Sequence, residues 1–311
     1  MKLLKKEDLL NLDAGTALTI GVFDGVHSGH QEIIRNTVEE AKAKGLDSLL
    51  LTFSSHPLAT LYPVKKPPLL ASLEHRLKLI ESLGIDYCYV QEFSREFAGI
   101  EPVDFIKKWL MKNFHPEFIC VGGNFHFGSG KKGDTVFLKK VCSEMGIGVK
   151  IVKPVEVEGA RVSSTFIRGL IESGRVKESE RYLGRKYSIV GTVVKGKGVG
   201  KKIGFPTANI DPHNEAMPPI GVYLTRVIHD GKTFNSVTNV GSEVPEGWAF
   251  DRIVEAHILD FNENILGKNI EIIFFDKLRE ELKFDKTEDL SARIRDDVEK
   301  ASRFFAKERL K

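Results

Sequence analysis

Apolar residues fall in short unbroken runs through the first half of the chain and at alternate positions through most of the second. The first run, Ala17 to Phe23, reads as a strand that stops at a glycine-flanked turn, Gly21-Val22-Phe23-Asp24-Gly25-Val26-His27-Ser28-Gly29-His30. Helical spacing follows in Ile33, Ile34, Val38 and Ala41, with Gly45 as C-cap. Further strands are expected at 48–53, 85–90, 118–121 and 147–152. Helices are expected over 69–83, with Ser72 as N-cap, over 102–112, with Pro102 in the first turn, and over 135–145. Strands and helices alternate, and the strands are apolar on both faces. That pattern predicts an α/β fold with a doubly wound parallel sheet.

Such sheets bind ligands beyond the carboxyl ends of their strands. Three polar turns fall at that edge: the His27/His30 turn, Ser54-Ser55-His56-Pro57, and Gly122-Gly123-Asn124-Phe125-His126-Phe127-Gly128. A helix N-terminus carries free N–H groups and partial positive charge, so the first turn suits a phosphate. Histidines three apart on one helical face could aim both imidazoles at it. Alone, the pair could equally be ordinary helix-start histidines. In Arg161-Val162-Ser163-Ser164-Thr165-Phe166-Ile167-Arg168, three hydroxyls precede an apolar helical stretch. One can cap the helix, and the others with Arg168 can hold phosphate oxygens. The plain alternative is a capped helix with a surface arginine.

The pattern changes after Tyr182-Leu183-Gly184-Arg185. Alternating strands are expected at 188–194, 221–227, 252–259 and 269–275, with short links such as His229-Asp230-Gly231-Lys232. They predict an antiparallel sheet or small β-barrel, followed by a terminal helix over 290–305. The expected boundary lies near 184, dividing the chain into 1–184 and 185–311. Between the first two of these strands runs Gly196-Lys197-Gly198-Val199-Gly200-Lys201-Lys202-Ile203-Gly204-Phe205-Pro206-Thr207-Ala208-Asn209-Ile210. Gly196, Gly198, Gly200 and Gly204 would let backbone N–H groups approach a polyphosphate, and Lys197 and Lys201 add charge. No Gly-Lys-Ser/Thr step opens a helix, so this is not a Walker A loop, and a mobile hairpin is the alternative. Thr207 and Asn209 alternate, so a hydroxyl and an amide oxygen could face one side and suit Mg²⁺. Glu255, between Val254 and Ala256, could pair with a lysine or serve as a general base.

Composition narrows the classes. The chain has 311 residues, 41% of them hydrophobic, enough for about two ordinary domains. A net charge of +3 is too mild to argue for nucleic acid but suits anionic small substrates. Cys88, Cys120 and Cys142 are far apart and form no CxxC, which argues against a zinc site or a disulfide framework and for buried thiols. The N-terminus lacks a signal-peptide core, and no stretch approaches the ~18 apolar residues of a membrane span. A soluble, cytoplasmic protein with no membrane partner is expected. Nothing in the sequence specifies an oligomeric state.

Taken together, the motifs resemble those of the bacterial bifunctional riboflavin kinase/FMN adenylyltransferase family, the FAD synthetases, over essentially the whole chain. The turn from Gly21 to His30, including Phe23, Asp24 and Gly29, is similar to that family's HxGH nucleotidyltransferase signature. The Gly122–Gly128 and Ser163–Arg168 stretches resemble its second and third nucleotide motifs. Gly204-Phe205-Pro206-Thr207-Ala208-Asn209-Ile210 is highly characteristic of riboflavin kinases, and Arg279-Glu280-Glu281-Leu282-Lys283-Phe284 resembles a flavin-side segment. The resemblance implies a nucleotidyltransferase domain followed by a riboflavin kinase-like barrel. ATP would phosphorylate riboflavin to FMN with release of ADP. FMN would then attack a second ATP to give FAD and pyrophosphate.

By the same resemblance, His27, His30, Ser164 and Arg168 would stabilise phosphate charge, assisted by Ser163 and Thr165. Asn124 would orient the nucleotide, and His56 would face flavin or phosphate. Thr207 and Asn209 would hold Mg²⁺, the glycine loop and Pro206 would line the phosphates, Glu255 would be the base, and Arg279 and Phe284 would lie on the flavin side. The chain departs from the family at 242–248, where it reads Ser-Glu-Val-Pro-Glu-Gly-Trp, and at Asn124 and His126, where aspartate and arginine are common. An enzyme limited to adenylylation, or a flavin-binding regulatory protein, are the alternatives. The intact HxGH, Thr207, Asn209 and Glu255 argue against the second.

Overall fold

In the computed structural model, which describes residues 1–11, 15–196, 198–242 and 252–308, the chain forms two compact units. The first comprises residues 1–69 and 73–164 and is built on a six-stranded sheet. Its strands are β1 (Lys2–Leu4), β2 (Thr16–Ile20), β3 (Asp47–Phe53), β4 (Tyr87–Gln91), β5 (Pro116–Gly122) and β6 (Gly148–Val152). They are ordered β1-β4-β3-β2-β5-β6, and every pairing is parallel. All five residues of β2 are buried, as a central strand covered on both faces requires. One face packs Leu18, Leu49, Ile119 and Val121 against Phe105, Leu110 and Phe114. The other packs Leu50 and Cys88 against Ile34, Val38 and Ile80.

The order of these strands places a ligand site. From β2 the chain steps to β3 and β4 on one side, then returns to β5 on the other. The direction therefore reverses between β2 and β5, and the crevice beyond their carboxyl ends is where such sheets bind ligands. Helix Ser28–Lys44 starts there and ends at Gly45, whose φ of 66° is the left-handed cap expected of it. The helix expected over 69–83 is shorter, Leu73–Glu81. The one expected over 102–112 includes a π-helical stretch, Phe105–Leu110, which brings Phe105 and Trp109 into stacked contact. All three cysteines are buried; burial pushes the Cys88 thiol up to about 12 and those of Cys120 and Cys142 up to about 11.

The second unit comprises residues 70–72 and 165 onward. After the small hairpin of β7 (Glu156–Val157) and β8 (Ala160–Arg161) in the first unit, the remaining strands form a closed barrel. They are β9 (Ser188–Val194), β10 (Ala208–Pro212), β11 (Gly221–His229), β12 (Lys232–Gly241), β13 (Ile253–Ile258) and β14 (Asn269–Arg279). The order is β10-β13-β12-β11-β14-β9, antiparallel throughout, with β9 pairing back onto β10. Periodicity indicates four of these strands; β10 and β12 emerge only from their pairing. Asp230 and Gly231, both with positive φ, make the tight β11–β12 turn that matches strand twist.

The packing division falls earlier than residue 184. Helix Val176–Leu183 lies on β14, so it clusters with the barrel although the composition changes only where β9 begins. The terminal helix, Thr287–Glu308, is longer than its apolar spacing suggests and covers the outer barrel face, packing Ala301 and Phe305 on Val222, Leu224, Val237 and Phe275. Arg279 anchors it: the guanidinium Nε lies 3.1 Å and 3.0 Å from the two carboxylate oxygens of Asp297, and a terminal nitrogen lies 2.6 Å from Oδ2. The Asp297 side chain is only 2% exposed. Removing one partner of such a pair strands the other's charge in the interior. Asp297→Ala is therefore expected to lower the unfolding free energy of the barrel by about 3–5 kcal/mol, read as a shifted urea midpoint for that unit; an unshifted midpoint contradicts the anchor.

Candidate active sites

The first site begins where β2 ends. Phe23, Gly25 and Val26 all have positive φ (53°, 76° and 41°), so the chain turns tightly and drops His27 at the N-cap of helix Ser28–Lys44. His27 Nδ1 accepts the His30 backbone N–H at 3.3 Å. An accepting Nδ1 carries no proton, so the neutral ring holds its proton on Nε2, where it can donate to an anion. The two imidazoles do not splay from one helical face. They stack, with centroids 3.6 Å apart and planes 17° from parallel. His30 Nδ1 is buried with no hydrogen-bond partner. Desolvation, then the His27 ring, then the Arg76 guanidinium hold the His30 imidazole well below its ordinary range, so it is neutral near pH 7.

Neighbouring residues fix this pair. A Cβ at Gly29 would meet the His27 ring at 3.2 Å, and one at Gly21 would meet the Phe23 ring at 3.1 Å. Asp24 is 3% exposed, and its carbonyl accepts the Ser164 hydroxyl at 3.0 Å. That hydroxyl proton is committed to the turn, so in this state Ser164 tethers the third motif to the first. Ser163 is half-buried, whereas Thr165 is exposed and Arg168 buried on helix Ser164–Glu172. Both Thr165 and Arg168 belong to the second compact unit. Asn124 is exposed just beyond β5, on the other side of the switch point, and its carbonyl accepts His126 Nδ1 at 2.9 Å. His56, beyond β3, caps a short helix by accepting the Leu58 N–H at 3.1 Å.

The sequence did not mark Arg76. It is 1% exposed and donates to the carbonyl of Val22 at 2.9 Å and to that of Phe53. A signal was present: Leu73, Arg76, Leu77 and Ile80 share helical spacing, which puts an arginine on a buried stripe.

The second site lies on the outer barrel wall. β13 pairs Glu255 with Asn209 of β10 on one side and with Asn239 of β12 on the other. Directly paired residues share a face, so the three side chains form one polar rung. Asn209 Oδ1 and Asn239 Oδ1 are both buried without a hydrogen-bond partner. The Asn239 amide donates to Glu281 Oε1 at 3.4 Å, which fixes which of its two ends is the acceptor. Asn239 was not read from sequence, because only strand register reveals it.

Beside the rung, a cleft of roughly 340 Å³ is lined by Gly196, Gly198, Lys201, Pro206, Thr207 and Asn209, and opposite them by the 261–266 segment. That size suits a small-molecule ligand. The opposite wall, including Phe261, Asn264 and Leu266, also escaped the sequence reading. Gly198 and Gly204 have φ of 71° and 87°. A Cβ at Gly200 would collide with the Phe205 carbonyl at 2.3 Å, and one at Gly196 would sit 2.1 Å from the Asn209 amide. His257 Nδ1 donates to the Pro206 carbonyl at 2.8 Å and fastens the end of the loop to β13. Lys197, and the departing loop from Glu243 to Trp248, lie outside the described residues. Phe284 is half-buried beyond β14, and the Arg279 guanidinium is committed to Asp297 and to the Glu280 carbonyl.

An oxygen-lined cradle beside a glycine loop can hold a hydrated divalent cation and phosphates. The orphaned Asn209 Oδ1 and the neighbouring Thr207 hydroxyl are hard oxygen donors of the type Mg²⁺ prefers. Among the described residues no cluster of three His, Cys, Asp or Glu side chains could bind a metal, and no helix is long and apolar enough to cross a membrane.

Comparison with known proteins gives matching results for both units. Residues 10–166 match the FAD synthetase family model, and residues 183–305 match that for riboflavin kinase. The chain is 36% identical over 292 residues to the bifunctional riboflavin kinase/FMN adenylyltransferase of Haemophilus influenzae, covering 94% of each chain. It is 33% identical to the Escherichia coli protein of that name, over 94% of this chain and 93% of that one. A crystal structure described as a macrolide-efflux protein from Streptococcus pneumoniae superimposes with a TM-score of 0.84 at 30% identity, covering 96% of this chain and 97% of that one.

Between the depressed folded value of His30 and its ordinary 6.5, the unfolded chain binds more protons, so the stability of the first unit should fall as pH drops below about 6.5. Urea titrations should show a plateau above that pH and a weaker acid slope in His30→Gln; equal slopes contradict a neutral His30. Gly196→Ala should displace Asn209 and reduce nucleotide affinity of the barrel by about tenfold or more, measured by calorimetry; unchanged affinity contradicts the cleft assignment.

Proposed function

This chain belongs to the bifunctional riboflavin kinase/FMN adenylyltransferase family, and from that premise we propose how its own residues divide the two reactions. The protein is a flavin-forming transferase: the C-terminal module phosphorylates riboflavin and the N-terminal module adenylylates FMN. We place the catalytic division near residue 184, with 1–184 serving adenylylation and 185–311 the kinase. The observation that carries the reading is the Asn209–Glu255–Asn239 rung beside a glycine loop, in a chain that separately keeps a stacked histidine pair at a parallel-sheet switch point.

In the barrel, ATP lies in the cleft with its phosphates under the loop from Gly196 to Gly204. Thr207 and Asn209 would hold Mg²⁺, which would neutralise charge on the transferring phosphoryl group. Glu255 accepts the proton of the terminal ribityl hydroxyl as its oxygen bonds to the γ-phosphorus and ADP leaves. Lys201 adds positive charge at the cleft wall, Pro206 shapes it, and Phe284 borders the flavin. Arg279 acts by holding the terminal helix to the end of β14.

In the first unit, an FMN phosphate oxygen attacks the α-phosphorus of ATP, and pyrophosphate departs. The nucleophile is already an anion, so the site's task is electrostatic. The His27 Nε2–H and the His30 ring donate to phosphate oxygens. Arg168 of the third motif is the residue to which we assign a permanent positive charge in this reaction. Asn124 orients the nucleotide from the far side of the switch point, Ser163 and Thr165 border the phosphates, and His56 borders the flavin. Gly21, Phe23, Asp24 and Gly29 shape the turn. We place the protein in the cytoplasm, where ATP and both flavins are available.

Incubation with riboflavin, ATP and Mg²⁺, followed by chromatography, should yield FMN and then FAD; FAD from added FMN alone would mean a defective kinase, and no product from either flavin would overturn the reading. Glu255→Gln should cut FMN formation about 10²–10⁴-fold and leave conversion of FMN to FAD intact. Unchanged kinase turnover in that variant would sink the base assignment.

A further inference from the structure

A fully buried guanidinium is costly unless its position is used, because desolvating the charge costs several kcal/mol even after relaxation. Arg76 occupies such a position beneath the first site. It is 1% exposed on helix Leu73–Glu81, and it donates to two carbonyls on adjacent chain segments: Val22, just beyond β2, and Phe53, the last residue of β3. Its Nε is buried without a partner. Thr52 also donates to the Val22 carbonyl, at 3.2 Å. Val22 directly precedes Phe23, where the chain enters left-handed backbone, and Asp24 lies within electrostatic reach of the guanidinium. An apolar side chain such as methionine could fill the same volume at lower cost.

We propose that Arg76 is a positioning residue of the adenylylation site, fixing the strand ends from which the His27/His30 turn departs. The assignment rests on reading this turn as the adenylylation site. Strand-end carbonyls present partial negative charge to the crevice where the polyphosphate must lie. Arg76 turns two of them toward itself and offsets their charge, without touching substrate. Its charge has a second effect. The groups acting on His30 are the stacked His27 ring and Arg76, in addition to desolvation; those acting on Arg76 are Asp24 and Cys88. Cys88 is protonated near neutral pH, so Asp24 is the counter-charge and Arg76 remains a fixed cation that disfavours a proton on His30. His30 is thereby kept as a neutral N–H donor.

Three full-length proteins test this: wild type, Arg76→Met and Arg76→Lys. Removing the guanidinium lets the turn shift, and a displacement of about 1 Å costs up to about 100-fold in rate. Arg76→Met should therefore lower FMN adenylylation by about 10- to 100-fold while riboflavin phosphorylation by the same chain stays within twofold. The His30 ring proton, followed by NMR, should titrate at higher pH in Arg76→Met than in wild type. Arg76→Lys keeps the charge without the fork, so it should retain the wild-type His30 titration and recover only part of the rate. It also provides the test if Arg76→Met does not fold. Wild-type adenylylation in Arg76→Met, equal loss of both activities, or an unchanged His30 titration in Arg76→Met with a shifted one in Arg76→Lys overturns the proposal. If wild type itself forms no FAD from FMN and ATP, the reading of the site fails instead.

Discussion

Immediately after β2 the backbone bends through left-handed conformations at Phe23, Gly25 and Val26, and the first site depends on that bend. Glycine adopts such a conformation freely. For phenylalanine and the β-branched valine it costs about 1–3 kcal/mol each. It persists because the surroundings over-determine it. Phe23 and Val26 are 2% and 1% exposed, packed with Ile34, Val38, Leu50 and Ile80. Arg76 ties the segment just before the bend, and Ser164 ties its middle. Core packing thus offsets local strain, and the result is an N-cap histidine stacked on a second histidine.

The barrel builds its candidate site by other means. Its strands are regular at the rung, and the polar side chains are aligned by register rather than by a bend. Beside the rung, a Cβ at Gly196 or Gly200 would collide with Asn209 or the Phe205 carbonyl, and Gly198 and Gly204 take positive φ. The two sites also differ in charge. The barrel places a carboxylate between two amide oxygens and suits a cation and a hydroxyl proton. The sheet places neutral imidazoles near a buried arginine and suits an anion that needs no base. Phosphorylation of a hydroxyl and attack by a phosphate call for those opposite environments.

Much of this could be read from the chain. Unbroken apolar runs named the parallel sheet because β2, β3 and β5 are buried on both faces, and the turns bearing His27, His56 and Asn124 fell at the expected edge. Thr207 and Asn209 were visible as alternating polar residues after the glycine loop, and Glu255 as the polar residue between Val254 and Ala256. Three things were not. The stacking of His27 on His30 depends on positive φ at Phe23 and Val26, which no residue type there signals. Asn239 joins Glu255 only through register, a long-range property. Arg76 resembles a surface arginine until the buried face of its helix is known. Residues 165–183 were read with the first half by composition, whereas their amphipathic faces pack with the barrel unit.

On the proposed division of residues, one chain carries two separate sites joined only by the FMN that one makes and the other uses. Mixing a His30→Ala protein with a Glu255→Gln protein tests it most directly, with riboflavin, ATP and Mg²⁺ supplied and FAD measured over time. Each variant alone should form no FAD from riboflavin, and the mixture should form it after a lag while FMN accumulates. FAD from either variant alone, or none from the mixture while each retains its remaining half-reaction, would contradict the account.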